Sequence, residues 1–203
     1  MAISSTSVVL ASSSVYRRQL LGRLLADFES LSPQVDEARL TGESPAEMAV
    51  RLAETKAQAC RADRPGNAII GSDQVPACGT EILHKPGSHE RAIHQLQRCS
   101  GQEVIFYTAV ALIWPDYDHY ESHLDKTIVR FRDLSTAEIE SYLQFDQPYD
   151  CAGSFKVESR GVILFDSIES QDPTGLQGLP LIWLAGQLRK HGVIQPVECA
   201  ATI

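Results

Sequence analysis

The stretch Ala68-Ile69-Ile70-Gly71-Ser72-Asp73-Gln74 runs three apolar residues straight into a glycine, a hydroxyl, a carboxylate and an amide. The apolar half reads as a buried strand. The polar half reads as the point where that strand leaves a sheet, which in open α/β sheets is where ligands bind. A carboxylate there can hold a metal ion or accept a proton, although an isolated aspartate after a strand more often caps a turn. Further charged groups fall at turns between elements: Arg17 and Arg18, Asp36 and Glu37, Lys85, Lys156 and Glu158. A polyphosphate bound with a divalent metal needs both kinds, cations for the phosphate oxygens and hard oxygen ligands for the ion. The sequence has no G-x-x-x-x-G-K-S/T, G-x-G-x-x-G or G-x-S-x-G, so the common phosphate loops and the serine nucleophile elbow are excluded.

The elements that must position these groups are legible in outline. Val8-Val9-Leu10-Ala11 predicts a strand, and Ser12-Ser13-Ser14 a turn into a helix carrying Leu20, Leu21, Leu24 and Leu25, with Ser13 or Ser14 as N-cap. Arg17 and Arg18 then stand in its first turn against the helix dipole, a conflict that a bound anion would offset. Phe28 to Val35 reads as extended. Ser44-Pro45-Ala46-Glu47 is a capping box with proline at the first helical position, and predicts a helix to about Ala62. On that helix Lys56 shares the apolar face of Ala49 and Leu52, and either snorkels to solvent or reaches into a pocket.

A hairpin is expected around Cys78-Gly79-Thr80, then a helix capped by Ser88 and stopped by Gly101. Its His89 and His94 fall about 140° apart at 3.6 residues per turn, which removes a metal-protease reading. Val104 to Trp114 and Thr127 to Phe131 predict a hairpin turning at Pro115-Asp116-Tyr117-Asp118. His119 and His123 are four apart but read as polar strand-edge residues. Ser135-Thr136-Ala137-Glu138 opens another helix, Val162-Ile163-Leu164-Phe165 reads as a buried strand, and Gly175 to Pro180 as a turn into a final helix ended by Gly192. Residues after about Pro196 read as frayed. Helices alternating with strands around one hairpin predict an α/β protein with a mixed sheet.

The bulk properties fit one domain. The chain has 203 residues, with 43% hydrophobic and 22% charged, near the averages for a globular protein. Its net charge of −8 argues against a nucleic-acid partner, which needs a broad basic surface. Five widely spaced cysteines without a C-x-x-C fit reduced thiols, and no segment reads as a leader or a membrane span, so a cytoplasmic protein is expected.

Taken together, the residues resemble the Maf family of nucleotide pyrophosphatases. Leu10-Ala11-Ser12-Ser13-Ser14-Val15-Tyr16-Arg17-Arg18 is similar to its N-terminal signature. The match continues in order through Val35-Asp36-Glu37, Arg51-Leu52-Ala53 with Lys56-Ala57, and Ile70-Gly71-Ser72-Asp73. It goes on through Lys85-Pro86, Ser100-Gly101, Ala152-Gly153-Ser154-Phe155 and Gly178-Leu179-Pro180. The resemblance implies one α/β domain over residues 1–203, with a recognisable core from about 7 to 192. It also implies a Maf/ITPase-like fold: a mixed, twisted sheet flanked by helices around a central cleft, often dimeric. The implied reaction is cleavage of a nucleoside triphosphate to the monophosphate and pyrophosphate with a divalent metal, magnesium or manganese.

Carried over residue by residue, the resemblance makes Asp73 the proton acceptor or metal-linked acid and Glu37 a metal ligand. Ser12, Arg17, Lys56 and Lys85 would contact phosphates, with Arg18 an addition. Gly71-Ser72-Asp73-Gln74 and Cys151-Ala152-Gly153-Ser154-Phe155-Lys156-x-Glu158 resemble the branch acting on 7-methyl-GTP. The dTTP/UTP branch has threonine where Gln74 stands and a Tyr-x-x-Gln pattern after the small residues. Glu158 would accept hydrogen bonds from the guanine edge, Gln74 would hydrogen-bond the base, and Tyr16 would stack on it. The chain departs from the branch at Val15-Tyr16, where proline and tryptophan are expected; tyrosine keeps a π face but a smaller one. A rival of another class, a nucleotide-binding regulator of septum formation, would not need an acid aimed at the phosphate chain.

Overall fold

The computed structural model describes residues 7–115 and 120–195. One seven-stranded sheet organises the chain: β1 (Val8–Ala11), β2 (Glu29–Leu31), β3 (Ala68–Cys78), β4 (Glu81–Ile82), β5 (Glu103–Ile113), β6 (Tyr120–Phe131) and β7 (Phe165–Glu169). The strands lie in the order β2-β1-β3-β5-β6-β7, with β4 paired to the far end of β3. β1 runs parallel to β2 and β3, whereas β3, β5, β6 and β7 alternate antiparallel, so the sheet is mixed as expected. Among the described residues five α-helices flank it: α1 (Val15–Leu21), α2 (Pro45–Arg61), α3 (His89–Cys99), α4 (Thr136–Asp146) and α5 (Leu181–Lys190).

Strand alternation sends successive β3 side chains to opposite faces. Ile69 packs with Met48, Leu52, Ala53 and Ala57 of α2, whereas Ile70 packs with Leu20, Leu21 and Leu184 of α1 and α5. Gly71 belongs to the α2 face, and a Cβ there would lie 2.1 Å from the Ala53 carbonyl oxygen and 2.7 Å from the Ala57 amide. Only glycine permits this approach, and it brings the α2 backbone against the strand. A third cluster joins α3 and α4 to β5 and β6 through Leu96, Phe106, Val129, Ile139 and Leu143.

Both predicted capping boxes form, with Ser44 and Glu47 at α2 and Ser135 and Glu138 at α4. Four expectations are corrected. β3 does not leave the sheet at Gly71–Gln74 but runs on to Cys78, with Asp73 and Gln74 paired to Ala109 and Thr108 of β5, so Asp73 lies mid-strand. α1 stops at Leu21 with Gly22 as its C-cap, and Leu24 and Leu25 reach the core from a turn. The extended segment after Phe28 pairs only over Glu29–Leu31. Arg160–Leu164 is a 3-10 turn, with Val162 50% and Ile163 55% exposed, because Gly161 N–H folds back onto the Lys156 carbonyl at 3.0 Å; the strand begins at Phe165.

Asp116 to His119 and the segment from Pro196 onward lie outside the described residues, and with them most of the predicted 115–118 turn, half of the His119–His123 pair and the frayed end. His123 itself stacks on Trp183 at 5.5 Å. Among the described residues no helix is long and apolar enough to cross a membrane.

Candidate active site

A cleft of about 660 Å³ opens beyond the end of β1 and along the middle of β3, where the loops after β4 and α4 meet them. Asp73 and Lys56 form its buried floor. The Lys56 side chain is 9% exposed and its Nζ lies 2.6 Å from Asp73 Oδ1. The same Nζ lies 2.6 Å from Glu37 Oε1, on a carboxylate that is 60% exposed. Lys56 therefore reaches into the pocket rather than out to solvent. This follows from the Gly71 contact, which sets α2 close enough for a side chain one turn beyond Leu52 to meet the acid two residues along β3.

Two carboxylates converging on one ammonium define a point where positive charge is stabilised. Burial pushes Glu37 up, but the hydrogen bond and charge of Lys56, aided by Lys85 and Arg17, leave it below the ordinary glutamate range. Burial lowers the Arg17 guanidinium, while Asp73 and Glu37 support its charge. The Arg17 Nε–H donates to the Gly178 carbonyl at 2.9 Å. The expected conflict with the helix dipole is thus met by protein groups, at the start of a helix only seven residues long. Ser14 is the N-cap, and Ser12 Oγ accepts from the Ser14 amide at 3.1 Å.

The opposite face of β3 holds a second device. Ser72 Oγ–H donates to the Gly178 carbonyl at 2.9 Å. Gln74 Nε2 donates to Thr108 Oγ1 at 2.9 Å, to the Gly175 carbonyl at 3.0 Å and to that of Leu176 at 3.1 Å. Thr108, directly across from Gln74 on β5, also donates to the Gly175 carbonyl, at 3.0 Å. The Gly175–Gly178 segment is thereby strapped over one side of the cleft, and Gly178 turns the chain at φ +109°, a conformation that favours glycine.

The other end of the cleft is made by the loop after α4. Phe155 anchors it edge-to-face on Phe106 at 5.3 Å, and Ser154 Oγ donates to Gln95 Oε1 at 2.5 Å. Cys151 Sγ lies 3.7 Å from Tyr16 Oη and 3.5 Å from Asp150 Oδ1. Burial, partly opposed by the hydrogen bond to Tyr16, pushes the Cys151 thiol up to about 11, so it is a neutral donor at pH 7. Burial also raises the Tyr16 phenol, and Cys151, Asp150 and Glu158 push it further in the same direction.

A profile of the family described as Maf-like protein matches residues 7–191. The chain belongs to the Maf family. It is 51% identical over 185 residues to a protein of Xanthomonas axonopodis pv. citri, covering 91% of this chain and 96% of that one. A Bordetella pertussis protein is 49% identical over 186 residues, covering 92% of each chain. One from Albidiferax ferrireducens is 46% identical over 186 residues, covering 92% and 94%. All three are named 7-methyl-GTP pyrophosphatase.

Of the residues singled out by the Maf resemblance, Ser12, Tyr16, Arg17, Glu37, Lys56, Asp73, Gln74, Lys85 and Glu158 all line the cleft. Arg18 does not: it is exposed, because one residue's step around α1 turns it about 100° from Arg17. Lys156 also turns away, its Nζ donating to the Asp146 carbonyl at 3.2 Å, and Asp36 accepts from the Ala38 amide at 2.9 Å on the surface. Gln74 is expected to hydrogen-bond the base; its amide nitrogen is engaged by the strap, which leaves Oε1 for such a bond. Ser72, Thr108 and Asp150 were not foreseen. A lone threonine inside the apolar run of β5 was the one signal available for Thr108.

Among the described residues no group of three or more His, Cys, Asp or Glu side chains is arranged to hold a metal by itself. A Mg²⁺-type ion does not require one, because it is commonly held by one or two carboxylates together with substrate phosphates and water. Glu37 and Asp73, converging on a cation and each keeping a second oxygen, fit that donor set.

Proposed function

We propose that this chain hydrolyses 7-methyl-GTP to 7-methyl-GMP and pyrophosphate, removing a modified nucleotide before it enters RNA. The observation that carries the reaction is the convergence of Asp73 and Glu37 on the buried Lys56 ammonium, beside Arg17 and Lys85, in a cleft large enough for a nucleotide. The names of relatives up to 51% identical support the substrate.

Water attacks the α-phosphorus, a new P–O bond forms, and the bond to the bridging oxygen of the leaving pyrophosphate breaks. Asp73, midway along β3 on the face that meets α2, accepts the proton of that water. Lys56, Lys85 and the Arg17 Nη groups stabilise the charge that develops on the phosphate oxygens, and they do so in a partly desolvated site where such contacts are strong. Ser12 adds a hydroxyl at the end of β1. A divalent metal, magnesium or manganese, would be held by the Glu37 and Asp73 oxygens and would supply further charge neutralisation on the phosphate chain. At the far end Tyr16 offers a π face and Glu158 a carboxylate to the N1–H and exocyclic amine of guanine.

The test is pyrophosphate release across a panel of 7-methyl-GTP, GTP, dTTP and UTP with magnesium or manganese, and with chelator. Asp73→Asn should lower turnover by about a hundredfold or more while keeping the wild-type melting temperature, since Glu37 still pairs with Lys56. Near-normal turnover in that variant would remove Asp73 from the role. Preference for dTTP or UTP would move the chain to the other branch, and nucleotide binding without turnover would favour the regulator.

A further inference from the structure

We propose that Asp150 is a further specificity-determining residue, acting with Glu158 to make the base end of the cleft anionic. On this view the enzyme reads the positive charge of an N7-alkylated purine rather than the added methyl group. The inference rests on the functional reading above and concerns which property of the base that reading selects.

The charges lining the cleft are sorted along its length. Arg17, Lys56 and Lys85 gather with Asp73 and Glu37 between the end of β1 and the middle of β3, and both acids are held by Lys56. Asp150 and Glu158 line the other end, beside Tyr16. Glu158 makes no hydrogen bond or ion pair within the described residues. Asp150 is 66% exposed, and its nearest cation, Lys156 Nζ, is 4.0 Å away with its own hydrogen bond directed to the Asp146 carbonyl. The Cys151 thiol bridges Asp150 to the Tyr16 hydroxyl, which places the carboxylate within reach of whatever stacks on that ring. The raised Tyr16 phenol registers both carboxylates at the ring. A cleft cationic at one end and anionic at the other complements a molecule with a triphosphate tail and a cationic base. Unmodified guanine carries no such charge, so the anionic end discriminates without a contact to the methyl.

The decisive probe is the triphosphate of 7-methyl-7-deazaguanosine, in which carbon replaces N7, so that the methyl and the guanine edge are kept and the charge is removed. Assays run below the pH at which 7-methylguanine loses its N1 proton. The wild type should prefer 7-methyl-GTP to this neutral isostere in kcat/KM. Asp150→Asn should lower that ratio about threefold, an effect sized for an exposed charge. Asp150→Lys should lower it more, and Lys156→Met should raise it. Raising the ionic strength should shrink the wild-type ratio. Equal turnover of the two nucleotides by the wild type, or a ratio unmoved in both Asp150 variants, overturns the proposal. No pyrophosphate release from either nucleotide by the wild type would bring down the hydrolase reading and the proposal with it.

Discussion

The two ends of the cleft are built from different material. At the phosphate end the buried pair sits on packed elements, Lys56 on α2 and Asp73 on β3, with Arg17 on α1 and Ser12 just past β1; Glu37 and Lys85 come from loops, and the floor is paired within the chain, Lys56 with Asp73 and Glu37, Arg17 Nε with Gly178. At the base end Asp150, Cys151 and Glu158 ride on a loop, and the carboxylates face solvent. A reaction at phosphorus tolerates little displacement of the groups that stabilise it, so its residues belong on packed backbone. Base preference depends on a few charges and a stacking face, which a loop can exchange without disturbing the sheet.

The strongest way to break that comparison is to loosen the packed end. Gly71→Ala places a methyl 2.1 Å from the Ala53 carbonyl oxygen, where backbone and not a flexible side chain must yield. Moving α2 away from β3 should cost about 3 kcal/mol of stability by overpacking. It should also carry Lys56 off Asp73, lowering kcat about a hundredfold for every triphosphate alike, since a misplacement near 1 Å has that effect. Thermal melts and pyrophosphate release check both. A variant with normal stability and normal turnover would mean that the close approach does not set the site.

How much of this was legible in the sequence follows the same division. The apolar half of β3, the capping boxes at Ser44 and Ser135, and the hairpin return through Ile82 are encoded locally, and the structure has them; that β3 runs on through Asp73 to Cys78 is not, because the polar residues read as a strand end. The apolar spacing of Leu24 and Leu25 misled because a hydrophobic face can be completed from a turn, and Gly22 was the stop signal. Val162-Ile163-Leu164 misled because a run of apolar residues carries no mark of the Gly161 turn that precedes it. Lys56 stood undecided between solvent and pocket, and only the approach of α2 to Gly71 decides it. The task of Thr108 depends on a group 67 residues away, and that of Asp150 on its neighbour Cys151, whose partner Tyr16 is 135 residues from it in the chain; neither had a local signature to read.

Gln74 lies between the two ends and sharpens the comparison by an order of magnitude less. If it selects the base by direct contact, Gln74→Glu keeps an acceptor of the same reach and should keep the preference. If it acts by holding the Gly175–Gly178 strap, glutamate loses the donor and sets a charge against the Gly175 and Leu176 carbonyls. The geometry favours the strap, because leaving buried carbonyls without their donor is the costly change. Gln74→Glu and Gln74→Thr should then both raise KM for 7-methyl-GTP about tenfold, with a smaller effect on kcat. Retained preference in the glutamate variant alone would return Gln74 to direct base contact.

The smallest effect is expected at Glu158, and it isolates the base end most cleanly. The side chain is exposed and makes no hydrogen bond or ion pair within the described residues, so Glu158→Gln should leave the melting temperature where it is. Glutamine keeps one acceptor but presents an NH₂ where guanine offers N–H donors, and it gives up the charge that strengthens those bonds. Because the site is open to water, the loss should be about fivefold in kcat/KM for 7-methyl-GTP, below that of a buried charged hydrogen bond. Turnover of UTP, which has no such edge, should change by less than twofold. An equal fall for both nucleotides would show that Glu158 serves the phosphate end as well, and the division of the cleft into a fixed reaction half and an exchangeable base half would no longer describe it.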